Sequence, residues 1–308
     1  MTFTFCLPFA LLLSAQAPAP AGLIAGVRTA IAQGDFQRAE TLIEAGRKQH
    51  GLTPELVEAV SWLGRGALAS KALDKAAAYA AETRKYALSL LQTRSLDAER
   101  HLPIALGASI EVQAQVLAAK GERGEAVSFL ERELDTWQKT SIRTRIQKNI
   151  NLLSLEGKPA PELEVDQWLG SAPKPLGSLK GHPVLLFFWA HWCGDCKGEA
   201  APLARLAAEY APKGLVLMGP TQHYGYAARG QDATPEQEFR YIDQVRKQYY
   251  SALGNMPVPV SEENFRAYGA STTPTIVLID RKGIVRLYHP GALPYSELAK
   301  QVELILAD

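Results

Sequence analysis

Two cysteines three positions apart, Cys193 and Cys196, are the residues of this chain best placed to do chemistry. They sit in Trp192-Cys193-Gly194-Asp195-Cys196, directly behind the apolar run Val184 to Ala190 and ahead of a helix-forming stretch. A Cys-x-x-Cys across a strand-to-helix junction puts the first sulfur at the helix N-terminus, where unpaired amides and the positive end of the dipole stabilise a thiolate. The second sulfur falls one turn later, within disulfide reach, so the pair reads as a redox couple. Half of a zinc site would need two more ligands and finds no other cysteine nearby. A purely structural disulfide would close an unusually short loop.

The elements that must position this pair are those of a strand-and-helix domain. Gly157-Lys158-Pro159-Ala160-Pro161 ends a long helical pattern, since two prolines in three residues exclude a continuing helix. Beyond it the spacing predicts a short strand over Glu162 to Trp168, a central strand over Pro183 to Ala190, one helix over Gly194 to Tyr210 and a buried strand over Gly214 to Met218. Thr234 caps a helix opened by Pro235 and running to about Leu253. A short strand at Val258 to Val260 and a helix capped by Ser261 follow. Thr275 to Ile279 and Ile284 to Tyr288 flank a hairpin turn, and Tyr295 to Leu306 closes the chain as a helix. Such an order makes a mixed sheet covered on both faces.

Residues 22–156 are different, rich in Ala, Leu, Glu, Arg and Gln at helical spacing. Three polar turns, at Gly34-Asp35, Lys71-Ala72 and Gly121-Glu122, each precede a small residue opening a second helix: Ala39, Ala76 and Ala126. In the second unit Leu63-Gly64 stand where a large and then a small residue allow close helix contact. These units resemble tetratricopeptide hairpins with an irregular period, which implies a concave surface for a partner peptide or protein or, equally, an all-helical spacer or dimerisation domain. His50, His101, Trp62 and Trp137 read as packing or surface residues.

Composition sets the outer limits. The chain has 308 residues, with 33 basic and 32 acidic side chains and a net charge of +1, which gives no electrostatic reason to expect nucleic acid or an anionic membrane as partner. Residues 1–21, with the apolar run Phe3 to Ala15 followed by Ala15-Gln16-Ala17, suit a cleaved signal peptide and a periplasmic or otherwise extracytoplasmic protein. Cleavage there removes Cys6 and leaves Cys193 and Cys196 as the only cysteines.

Residues 157–308 resemble a thioredoxin-fold domain of the TlpA/ResA type, exported bacterial thiol-disulfide oxidoreductases. The likeness is carried by Ala160-Pro161-Glu162-Leu163, Leu176 to Pro183, Phe188 to Cys193, and Thr273-Pro274-Thr275 followed by Leu278 to Gly283. The expected architecture is thus an α-helical repeat domain followed by an α/β thioredoxin fold. The resemblance implies a cis bond at Pro274 that presents the Thr273 backbone to a substrate strand, with Trp192, Thr273 and Pro274 as the substrate-binding residues. On geometry, Cys193 is the outward, attacking thiolate and Cys196 the buried, resolving thiol. Glu199, one turn beyond Cys196 and lining the cavity in ResA-like proteins, is the proton-handling candidate. Thioredoxin's buried aspartate is replaced here by Phe187.

Asp195 stands where the family commonly has proline; it competes with the Cys193 thiolate for the helix amides and makes the couple more reducing. A protonated His191 would offset this. Residues 221–226 and the helix after them lengthen the chain between Cys196 and Pro274, so His223 and Tyr224 either shape the substrate groove or pack as ordinary loop residues. No phosphate loop, metal cluster or cofactor is expected; the expected partners are protein thiols and disulfides and an upstream electron-donor protein. The alternatives are a repeat-based binding protein with a vestigial redox domain, and a thiol peroxidase. The peroxidase motif Pro-x-x-x-Thr-x-x-Cys is absent, because Ala190 stands three positions before Cys193.

Overall fold

A computed structural model describes residues 22–307; the expected leader and Cys6 lie outside the described residues. The first seven helices are α1 (Leu23–Ala32), α2 (Phe36–His50), α3 (Pro54–Ala69), α4 (Leu73–Leu90), α5 (Leu102–Ala119), α6 (Arg123–Trp137) and α7 (Arg143–Ser154). Each polar turn read in the sequence joins two of them: α1 to α2, α3 to α4, α5 to α6. All three turns pass through one left-handed residue, Gly34, Lys71 and Gly121, and Lys71 does so at φ 59° without glycine's freedom. Ala39, Ala76 and Ala126 are fully buried, as small residues opening the second helix must be. Among the glycines of these seven helices the closest approach is at Gly66, where a methyl group would come 2.5 Å from Ile31 of α1; at Gly64 the nearest atoms stand at an ordinary 3.6 Å.

The chain leaves the helices at Leu155, whose side chain already belongs to the core of the sheet domain. The sheet has the order β3-β2-β5-β6, built from β2 (Val184–Phe188), β3 (Val216–Met218), β5 (Thr275–Ile279) and β6 (Val285–Pro290), and β1 (Trp168–Leu169) pairs separately with β4 (Val258–Pro259). β2 runs parallel to β3 and antiparallel to β5, with Phe187 opposite Ile276. Alternate residues of β2 enter opposite cores. Leu185 and Phe187 meet α9 (Ala200–Tyr210), α10 (Pro235–Tyr249) and α12 (Tyr295–Ala307), while Val184, Leu186 and Phe188 meet α11 (Glu262–Tyr268). A mixed sheet with helices on both faces is the thioredoxin architecture, here preceded by an all-helical region.

Two local expectations need correction. No strand forms over Glu162 to Asp166; the buried Asn264 side chain takes the place of a ladder there, accepting from Glu164 N at 2.7 Å and donating to Glu164 O at 2.9 Å. The helix expected over Gly194 to Tyr210 is two, α8 (Gly194–Gly198) and α9, broken at Glu199. Pro202 has no N–H to give to the Gly198 carbonyl, and its ring crowds that turn.

The two regions dock through α7 and α11. Gly269, with φ +59°, lies so close to α7 that a Cβ would sit 2.3 Å from Lys148 N. Asn151 Nδ2 donates to Ala267 O at 3.2 Å, and Glu156 accepts from Tyr288 N at 3.0 Å.

Candidate active site

Beyond β2 the chain passes through Trp189, Ala190 and His191, all buried, to reach α8. Cys193 is the N-cap of α8, and its Sγ accepts a hydrogen bond from Cys196 N at 3.0 Å. The two sulfurs are joined in a disulfide. Cys196 has no exposed surface, and Cys193 is less open than its position at a helix start suggests, with 4% of its surface exposed. The reason is the 272–274 turn: the Thr273–Pro274 bond is cis and the Thr273 carbonyl oxygen lies 3.4 Å from Cys193 Sγ. Thr273 Oγ1 is buried without a hydrogen-bond partner among the described residues. Trp192, 49% exposed, stands beside this pair.

Glu199 occupies the break between α8 and α9, where the chain turns its carboxyl inward. The residue is buried, and Oε2 has no partner among the described residues. Burial raises its pKa, and the Asp195 carboxylate raises it further. Tyr250 shares these surroundings: its hydroxyl is likewise buried without a partner, and burial first, then Glu199, pushes the phenol up. Its ring packs edge-on against Trp189 at 4.9 Å and Phe187 at 5.9 Å. Sequence reading found Glu199 and missed Tyr250, because a tyrosine just past a helix end carries no pattern of its own.

His191 turns away from a role as a cation. Its Nε2 lies 3.0 Å from Glu238 Oε1, and its ring is enclosed edge-on by Tyr224, Tyr226 and Tyr241 at 5.3 to 5.6 Å. Burial lowers its pKa against the pull of Glu238, so the ring is neutral near pH 7, opposite to the charge an offset to Asp195 requires. His223 Nε2 meets Gln167 Oε1 at 3.0 Å, while the Tyr224 ring lies edge-on to Trp192 at 5.5 Å. No group of three His, Cys, Asp or Glu side chains among the described residues is placed to hold a metal ion.

Residues 157–288 match the family model described as the AhpC/TSA family. The chain is 27% identical over 150 residues to the thioredoxin-like protein YneN of Bacillus subtilis, covering 48% of this chain and 79% of that one. It is 28% identical over 156 residues to the thiol:disulfide interchange protein DsbE of Xylella fastidiosa, covering 50% and 71% of the two chains. It is 27% identical over 154 residues to the thiol-disulfide oxidoreductase ResA of Oceanobacillus iheyensis, covering 49% and 73%.

Proposed function

We propose, on the premise that residues 157–307 are a thioredoxin-fold thiol-disulfide oxidoreductase joined to an N-terminal helical domain, that the chain is an exported reductant of protein disulfides. Export rests on the apolar run and small-residue site of residues 1–21. The observation that carries the redox reading is the convergence of the Cys196 amide at 3.0 Å and the Thr273 carbonyl at 3.4 Å on one sulfur, Cys193 Sγ.

In the reduced protein the Cys193 thiolate, held by that amide and the α8 dipole, attacks one sulfur of a substrate disulfide. The substrate S–S bond breaks, its leaving thiolate takes a proton, and a mixed disulfide joins substrate to Cys193. Cys196 gives its proton to Glu199 and attacks Cys193 Sγ, releasing the second substrate thiol. Two electrons have then passed to the substrate, and the Cys193–Cys196 disulfide remains for an upstream dithiol protein to reduce. A carboxyl raised by burial stands nearer a thiol in acidity, which favours proton exchange with Cys196. The half-buried Thr273 backbone beside cis Pro274 and the Trp192 ring are where an extended substrate segment would lie. The helical domain would recruit a partner.

An equilibrium redox titration of the Cys193–Cys196 couple in the mature chain, read by thiol alkylation, tests the reading. A midpoint near or below about −250 mV is expected. One above about −180 mV would make the protein an oxidant or isomerase. A chain with no reversible couple would be a binding protein instead.

A further inference from the structure

Glu238 is a carboxylate that the exchange reaction does not use, and it is buried as deeply as any charged group among the described residues, at 1% exposure. It projects from the first turns of α10 into the site. Oε1 accepts from Tyr224 N at 2.6 Å and lies 3.0 Å from His191 Nε2; Oε2 accepts from Gly225 N at 2.9 Å and lies 3.3 Å from His223 Nδ1. With His191 neutral, its Nε2–H donates, and Nδ1 is left without a hydrogen-bond partner among the described residues. Three N–H donors therefore converge on one side chain. An ionised carboxylate accepts all three; a glutamine has one acceptor oxygen and would turn an NH2 group toward donors.

We infer that Glu238 is a positioning residue that sets the aromatic wall of the substrate cleft, and that this wall takes a polypeptide segment with an apolar or aromatic residue near its cysteine. The clamp joins three separate pieces of chain: the segment after β2 at His191, the 222–225 loop, and α10. His191 is two residues before Cys193, and the loop presents Tyr224 edge-on to Trp192 at 5.5 Å. The half-exposed Trp192 ring is therefore backed by a residue whose own backbone is fixed to Glu238. A small disulfide reaches Cys193 without covering this aromatic surface. A protein substrate lying along the Thr273 backbone would cover it.

The inference rests on the reading of the dithiol as a reductant of protein disulfides, and the two can fail separately. The full mature chain, reduced beforehand, is mixed in single turnovers with two oxidants: a disulfide-bonded peptide carrying an aromatic residue beside its cysteine, and 2-hydroxyethyl disulfide. The preference of the wild type for the peptide should fall about tenfold in Glu238→Gln, the worth of one lost anchoring contact, through weaker peptide binding. Tyr224→Ala should lower it comparably. That variant keeps the backbone N–H that Glu238 holds, so it decides the matter even if Glu238→Gln does not fold. An unchanged preference, with both oxidants slowed alike or neither slowed, overturns the inference and leaves Glu238 a structural group. A wild type that reacts with neither disulfide sinks the reductant reading, and the inference with it.

Discussion

Two desolvated glutamates, one in each region of the molecule, are shifted in opposite directions. Glu111 on α5 of the helical region is desolvated, which raises its pKa, yet Arg145 at 2.9 Å, Lys148 at 3.3 Å and the Asn149 amide together outweigh burial and hold it at about 2. Glu199 in the redox domain is also desolvated, and its nearest charged influence is another carboxylate, Asp195, so both causes push it up. Burial at Glu111 is thus met by counter-charges, as it is at Glu133 by Arg84. Around the dithiol the polar atoms of Glu199, Tyr250 and Thr273 are buried without such partners among the described residues. Unpaired burial of that kind costs stability, and beside a Cys-x-x-Cys pair it marks candidate chemistry.

The bluntest way to break the comparison is to remove one member of each set. Cys193→Ala should abolish exchange entirely while leaving the fold in place, measured by single-turnover kinetics and thermal melting; residual turnover would place the nucleophile elsewhere. Glu111→Gln should do the reverse. With a folded pKa of about 2 against the ordinary 4.5, the paired carboxylate contributes about 3 kcal/mol, present above pH 4.5 and lost as pH falls through 2. Denaturant unfolding at pH 7 should show that loss with no change in the redox midpoint. A shift in midpoint would mean that the two regions are energetically coupled through the α7–α11 contact.

Glu199→Gln sharpens the other side. A carboxyl raised in the folded state contributes stability that is present below its unfolded pKa and is lost as pH rises through the folded value. The variant should therefore be more stable than wild type at pH 7, and the difference should vanish below about pH 4.5. Its exchange should slow by roughly a hundredfold at the step that needs the Cys196 proton moved. A variant that is less stable at pH 7, or no slower, would make Glu199 an ordinary buried side chain.

How much of this was legible in the chain depends on the range of the forces involved. The helical hairpins were readable because Gly34, Lys71, Gly121 and the alanines after them act within a few residues. The sheet was readable because β2 and β5 are unbroken apolar runs. The missing strand over Glu162 to Asp166 was not, since it is replaced by hydrogen bonds to a side chain a hundred residues away, Asn264. The break at Glu199 has its local cause in Pro202, four residues beyond Gly198. In the site, Cys193, Cys196, Glu199 and Pro274 carry local spacing or a motif. Tyr250 and Glu238 come to the neighbourhood of the site only through folding, and a tyrosine or a glutamate on an amphipathic helix looks the same whether it faces solvent or a buried histidine.

The smallest expected effect concerns Asp195, which links the two carboxyl arguments. It lies in the first turn of α8, where a negative charge competes with the Cys193 thiolate for the helix amides, and it also raises Glu199. Asp195→Asn removes the charge and keeps the shape. The Cys193 thiolate should then be favoured by up to about one pKa unit, or about 1.4 kcal/mol, and the midpoint should rise by about 30 mV or less in the two-electron titration. Glu199 should move down at the same time, displacing the pH–rate profile toward acid. Both shifts in those directions would make charge density at the start of α8 the means by which this domain is held reducing. A midpoint that falls would show that Asp195 acts on the dithiol through packing instead, and the contrast between paired and unpaired carboxylates would then rest on Glu199 alone.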